Sequence, residues 1–165
     1  AERLQSWVDH GRIAEKGIDE LSTNLRISEI QAAIGRIQLR KLDEWQIKRN
    51  EIANAHPIVV DENRHIISPK VRKGAIHGWH QYTIRCEDAE QLFNHLRNRG
   101  IDSRIHYQTP CHMQKVMKKH KQYGAGNLPI TEKLCGQLIS IPVHPFLRDE
   151  ELSRIHQALT DFCPT

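Results

Sequence analysis

The stretch Asn24-Leu-Arg-Ile-Ser-Glu-Ile-Gln-Ala-Ala-Ile-Gly-Arg-Ile-Gln-Leu39 carries most of the information about how this chain folds. It contains a polar turn followed by an amphipathic segment. Ser28 is a favoured residue at a helix N-terminus, and Gln31, three positions later, completes a capping box. Apolar residues then recur at helical spacing until the pattern breaks before Pro57. The sequence therefore predicts a long helix over about residues 28–55, ended by the proline.

On either side of this segment the pattern changes. Residues 1–10 are typical of the end of a helix, stopped by Gly11. Downstream, alternating or extended segments predict strands at 79–86, 101–107 and 138–141, and helical patterns occupy 88–99, 113–119, 131–137 and 149–162. We therefore predict an α+β domain in which a small antiparallel sheet packs with helices and is entered by the long helix.

Composition narrows the class of protein. The chain has 165 residues and a net charge of +4, which suits one globular domain. A basic run over 115–121 could meet an anionic surface, but it is more typical of a solvated helix face than of a nucleic-acid site. The four cysteines are widely spaced, which favours reduced thiols in a cytoplasmic protein over a disulfide framework or a zinc site. Neither an apolar run of membrane-spanning length nor a signal peptide is visible, so we expect no membrane partner.

Four sequence blocks carry a resemblance to a known family. They are Asn24–Gly35 with its continuation to Arg49, Trp79–Arg85, Gly100-Ile101 with Ile105–Gln114, and Leu128–Glu132 with Ile139–Pro145. In this order they closely resemble the C-terminal portion of the DegT/StrS family, the pyridoxal-phosphate-dependent sugar-nucleotide aminotransferases. Ser22 and Gln108 depart from the family pattern, which usually has glycine and often proline there.

The resemblance implies a fold and an activity. Residues 1–23 would be the tail end of the large cofactor domain, and residues 24–165 the C-terminal small domain of a fold-type I pyridoxal-phosphate transferase. The full-length enzyme would be a homodimer that moves an amino group, usually from glutamate, to a nucleotide-linked keto-sugar for surface polysaccharides. The family's Schiff-base lysine lies upstream of this segment. The isolated chain is therefore expected to hold no catalytic residue and to be inactive.

The resemblance also implies cofactor-binding residues. Asn24 matches the family asparagine that reaches across the dimer to the phosphate of the partner's pyridoxal phosphate, and Arg26 offers a guanidinium two residues later. An amide and a guanidinium are both suitable donors to an anion. From spacing alone, an alternative is that Asn24 caps a turn while Arg26 pairs with Glu29.

Substrate contact is expected at His106, Tyr107 and His112, which match a family block near the sugar-nucleotide pocket. The alternative for Tyr107 is a buried residue at a strand end with its hydroxyl satisfied. A metal site formed by His77, His80 and these two histidines is disfavoured, because no Cys or carboxylate sits beside them at ligand spacing. A non-enzymatic alternative remains for the whole chain: a nucleotide-sugar-binding or dimerisation module.

Overall fold

The computed structural model describes residues 2–12, 17–18, 21–119 and 124–164 of the chain. Five α-helices are present in this part: α1 (Glu2–Val8), α2 (Glu29–Val60), α3 (Ala89–Asn98), α4 (Pro129–Cys135) and α5 (Asp149–Thr160). The strands are β1 (Ile66–Ile67), β2 (Tyr82–Cys86), β3 (Arg104–Ile105) and β4 (Leu138–Ile141). None of the described helices combines the length and apolar character needed to cross a membrane.

The chain forms two compact units, Ala1–Leu42 and Asp43–Thr165. The boundary predicted after residue 23 follows the family resemblance and stays a prediction. In the first unit, the Ser22 hydroxyl donates to the carbonyl of Trp7 over 2.6 Å. An isolated antiparallel bridge joins Asp9 and Asn24. These contacts tie the turn before α2 to the end of α1.

Helix α2 begins as the sequence predicts. The Ser28 backbone N–H donates to Gln31 Oε1 over 3.0 Å, and the Gln31 N–H donates to Ser28 Oγ over 3.3 Å. This reciprocal pair is the capping box, so that prediction is confirmed.

The predicted end of this helix near residue 55 is wrong. Pro57 lies inside α2, which continues to Val60. Pro57 has no N–H to donate to the carbonyl of Ala53. Ala53, His56 and Val60 are nevertheless all buried on the core side of the helix. Packing of this face offsets the lost hydrogen bond.

The second unit is built on one antiparallel sheet in the order β1-β2-β4-β3. Ile84 of β2 lies opposite Ile139 of β4, and both are fully buried. Leu92 and Leu96 of α3 and Leu159 of α5 belong to the same core cluster. Because side chains alternate along a strand, Thr83 and Ser140 lie on the opposite face of the sheet.

Two predicted strands are shorter in the structure. The strand predicted from residue 79 begins at Tyr82, since Trp79 has a left-handed φ of 40° and its carbonyl accepts from Arg49 Nη1 over 2.9 Å. Residues 101–107 pair with β4 only at Arg104 and Ile105. On one side, two residues before Arg104, the ladder would place Pro142 opposite Asp102, and proline has no N–H to donate. On the other side, the His106 N–H donates to the Leu138 carbonyl over 3.3 Å.

The basic segment is helical over most of the predicted range. Residues 115–119 form a 3-10 helix, and residues 111–113 form another just before it. The remainder of the basic run, at 120–121, lies outside the described residues. Trp79, Tyr82 and Ile84 are all buried in the core.

Candidate functional site

Asn24 lies in an exposed turn whose shape its own side chain helps to fix. Its Oδ1 accepts a hydrogen bond from the backbone N–H of Arg26 over 3.2 Å. This is the Asx-type arrangement typical of polar turns, so the turn-capping interpretation is confirmed. Within the part of the chain that the structure describes, the Asn24 amide nitrogen has no hydrogen-bond partner. One side-chain group therefore holds the turn while the other is available as a donor.

Arg26 does not pair with Glu29, so that expectation is wrong. Its guanidinium instead pairs with Asp9, because the antiparallel bridge between Asp9 and Asn24 brings the carboxylate beside the turn. Both side chains remain accessible. Asp9 partly neutralises the positive charge that Arg26 could offer to a phosphate.

His106 is held by a row of hydroxyl groups. Its Nδ1 lies 3.0 Å from Ser140 Oγ, and Ser140 Oγ lies 2.9 Å from Thr83 Oγ1. Ser140 is buried, and Thr83 is its direct cross-strand partner. Sequence reasoning missed both hydroxyl residues. The alternation of β2 and β4 could have found them, because it puts both on the face opposite the isoleucine core.

Tyr107 projects into solvent. Its exposed fraction is 71%, so the alternative of a buried tyrosine at a strand end is wrong. Its ring centroid lies 5.2 Å from that of His106, and the peptide bond between the two residues is cis. Tyr107 also lines a groove of about 630 Å³ beside α3, together with Phe93 and Arg97. The pair thus presents an imidazole and a phenol next to one another at an accessible surface.

His112 is used differently from the other two residues. It is buried, and its Nε2 lies 3.0 Å from Glu132 Oε1. Glu132 also accepts from the backbone N–H groups of Gly126 and Leu128. These bonds lower the pKa of Glu132. The bond from the Gly126 N–H has the largest effect, followed by the bond to His112 and then the bond from the Leu128 N–H. Among the described residues no hydrogen bond or ring contact joins His112 to His106 or Tyr107, so its expected contact with substrate stays a prediction.

His77, one of the four histidines of the disfavoured metal site, contacts Trp79. His77 Nδ1 accepts from the Trp79 backbone N–H over 2.9 Å, and its ring stacks on Trp79 with centroids 4.1 Å apart. Within the described ranges, no group of three or more His, Cys, Asp or Glu side chains could hold a metal ion. All four cysteines are free thiols.

Comparison with known proteins identifies the family. Residues 1–160 match the model of the DegT/DnrJ/EryC1/StrS aminotransferase family, and the chain belongs to that family. It is 32% identical over 158 residues to the erythromycin biosynthesis sensory transduction protein EryC1 of Saccharopolyspora erythraea, covering 94% of this chain and 42% of the relative. It is 30% identical over 162 residues to the dTDP-3-amino-3,4,6-trideoxy-alpha-D-glucose transaminase of Streptomyces venezuelae, covering 98% of this chain and 42% of that protein.

A solved structure supports the same assignment. The crystal structure of S. venezuelae DesV in complex with a ketimine intermediate superimposes with a TM-score of 0.90 and 30% identity, covering 97% of this chain and 43% of that one. The chain therefore spans less than half the length of these relatives and corresponds to a C-terminal part of the family fold. The predicted α+β class with a small antiparallel sheet is confirmed.

Proposed function

We propose that this chain forms the C-terminal domain of a pyridoxal-phosphate-dependent aminotransferase that acts on nucleotide-linked keto-sugars. The full-length protein would work as a homodimer, with glutamate as the amino donor. The name of the S. venezuelae transaminase specifies a 3-amino sugar. This supports a keto group at ring carbon 3 of the substrate. We place the enzyme in the cytoplasm, where nucleotide sugars for surface polysaccharides would be aminated.

The observation that carries this proposal is the geometry of Asn24. Its Oδ1 is engaged by the Arg26 N–H, which leaves the amide N–H groups to donate to a phosphate oxygen. A neutral amide donor suits the cofactor phosphate, and Arg26 lies two residues away to add positive charge. When bound, pyridoxal phosphate supplies the electron sink for amino transfer. The contribution of this chain is to hold the phosphate and to present His106 and Tyr107 to the sugar nucleotide.

The chain itself is proposed to be inactive in isolation. Transamination needs a lysine amine for the Schiff base. Lys41 and Lys48 do not match the family motif for that lysine. Both lie on the surface of α2, where Lys48 pairs with Glu44 over 2.9 Å. An assay of the isolated chain with keto-sugar nucleotide, glutamate and cofactor should give no amino sugar, whereas turnover would contradict this part of the proposal.

The phosphate role of Asn24 is tested by Asn24→Asp in a full-length protein carrying this chain. The aspartate keeps an oxygen for the Arg26 N–H, so the turn is preserved, but it loses the donor and adds a negative charge. Loss of a charge-assisted hydrogen bond should weaken cofactor binding at least tenfold. A titration monitored by the absorbance of the cofactor measures this affinity. Asn98→Asp, at the exposed end of α3, is the matched control. Unchanged cofactor affinity in Asn24→Asp would show that Asn24 only shapes the turn.

A second candidate function is a non-catalytic nucleotide-sugar-binding or dimerisation module. The exposed Tyr107 beside His106 favours binding, since an accessible aromatic ring and an imidazole can contact a base, a sugar or a phosphate. Calorimetry of the isolated chain with dTDP-sugar and UDP-sugar, without cofactor, tests this function. Binding that Tyr107→Ala abolishes would support a nucleotide-sugar-binding module, and the absence of binding heat with both nucleotides would reject it and leave dimerisation as the non-catalytic function.

A further inference from the structure

The polar face of the sheet contains a continuous hydrogen-bonded row that ends at His106. Thr83 lies on β2, Ser140 on β4 and His106 directly after β3. The Thr83 Oγ1–Ser140 Oγ distance is 2.9 Å and the Ser140 Oγ–His106 Nδ1 distance is 3.0 Å. Ser140, in the middle, is 7% exposed. Its hydroxyl is therefore shielded from water, and its one proton goes to one of these two neighbours.

The row can run in either of two directions. If the His106 Nδ1–H donates to Ser140, Ser140 donates to Thr83, and the half-buried Thr83 hydroxyl donates to water, since its partner within the described residues is Ser140. If Thr83 donates to Ser140, Ser140 donates to Nδ1, and the imidazole carries its proton on Nε2. Only the second direction gives a neutral His106 ring an N–H that can donate to a bound anion.

We propose that Ser140 is a positioning residue that, supported by Thr83, fixes the His106 ring as an Nε2–H donor for the diphosphate of a nucleotide sugar. The proposal rests on the proposed contact between His106 and the substrate. An imidazole N–H and the neighbouring Tyr107 hydroxyl both donate, and phosphate oxygens accept. The oriented pair therefore suits a diphosphate better than a freely rotating ring of mixed tautomers would.

The first measurement is the tautomer of His106 in the 165-residue chain, by two-bond nitrogen–proton NMR spectra at pH 8.5, where imidazole rings are neutral. His106→Gln assigns the signals. The unsubstituted chain should show the proton on Nε2. Ser140→Ala should give a mixture, and Ser140→Thr, which restores the hydroxyl, should recover the single tautomer. Thr83→Val, on the less buried strand position, tests the same row if Ser140→Ala fails to fold.

The second measurement separates this inference from the proposed function. The affinities of the chain for dTDP and for UDP are compared in the same variants. A shifted tautomer together with an affinity lost about tenfold supports the inference. A shifted tautomer with unchanged affinity in both Ser140→Ala and His106→Gln supports the row and rejects the substrate contact. A proton on Nδ1 in the unsubstituted chain, or an unchanged tautomer in both Ser140→Ala and Thr83→Val, overturns the inference.

Discussion

At the scale of single residues, His56 is a histidine that the fold keeps uncharged. It is fully buried in α2, with its Nδ1 3.2 Å from Nε2 of His156 in α5 and its ring 4.6 Å from that of Tyr82. Burial, and then the positive charge that His156 can carry, lower the pKa of His56 to about 4, against a smaller opposing effect of the Pro142 carbonyl. Burial also lowers the pKa of His156.

This pair should make the domain sensitive to acid. The folded-state pKa of His56 lies below that of an unfolded histidine, near 6.5, so the unfolded chain binds more protons between these values. The free energy of unfolding should therefore be highest above pH 6.5 and fall by about 3 kcal/mol as the pH drops towards 4. Urea denaturation at a series of pH values measures this. His56→Gln should flatten the profile while His80→Gln, at an exposed position, should not. An equally steep profile in His56→Gln would assign the acid sensitivity to other groups.

Asn63 is a buried residue whose side-chain nitrogen and oxygen both have hydrogen-bond partners. Its Nδ2 donates to the carbonyls of Leu159 and Phe162, each over 2.8 Å, and its Oδ1 accepts from the His65 N–H over 3.0 Å. The side chain thereby fastens the end of α5 to the segment after α2.

Replacing Asn63 by alanine should cost about 2–4 kcal/mol, because buried carbonyls lose their donors. Equilibrium denaturation compares the Asn63→Ala variant with Asn98→Ala on the surface of α3. The Asn98→Ala control should change the free energy of unfolding by less than about 0.5 kcal/mol. If the two variants were equally stable, water would have replaced the lost donors.

At the scale of elements, local signals predicted where segments begin better than where they end. Ser28 and Gln31 are neighbours in sequence, so the start of α2 could be predicted from them alone. Its end could not, because the burial of Val60 against residues far away in sequence outweighs the effect of Pro57. β1 was missed for the same reason: its two residues are a strand only by pairing with β2.

The candidate site shows the same limit. The family resemblance suggested Asn24, Arg26, His106, Tyr107 and His112, and residue types explain why each could bind an anion or a sugar. The contacts of these five residues with residues distant in sequence could not be predicted. The Asp9 partner of Arg26 is 17 residues away, and the Ser140 partner of His106 is 34 residues away. Spacing along the chain carries no information about such pairs.

Glu132 organises the segment before α4. Its carboxylate accepts from His112, Gly126 and Leu128, and charge-assisted bonds of this kind are stronger than neutral ones. Glu132→Gln should weaken all three hydrogen bonds and speed up the exchange of the Gly126 and Leu128 amide hydrogens. NMR measures these exchange rates. Glu150→Gln, in the first turn of α5, is the control and should leave these amides unchanged. Equal protection in Glu132→Gln would mean that the segment is held by other contacts.

At the scale of the whole molecule, the apolar core and an exposed isoleucine stripe of α2 belong to different parts of the chain. All residues of the core cluster lie between Ile52 and Phe162, within the second unit. In the first unit, Ile30, Ile34 and Ile37 share one side of α2 and are 75%, 52% and 56% exposed. An isoleucine stripe in helical register is typical of a face that packs on another surface. Within the proposed full-length enzyme, the upstream part of the protein would cover it.

This difference predicts that the same double substitution has different effects in two proteins. In the isolated chain, Ile34→Ser with Ile37→Ser should change the free energy of unfolding by no more than about 1 kcal/mol, because both side chains are already hydrated. Ile139→Ala, in the buried sheet, should cost about 2–5 kcal/mol. In a full-length protein carrying this chain, the double substitution should become destabilising by several kcal/mol, since the same side chains would then leave a cavity and two buried hydroxyls. Urea denaturation of both proteins makes the comparison. A double variant that is neutral in both would leave the stripe without a partner and would count against the proposed full-length arrangement.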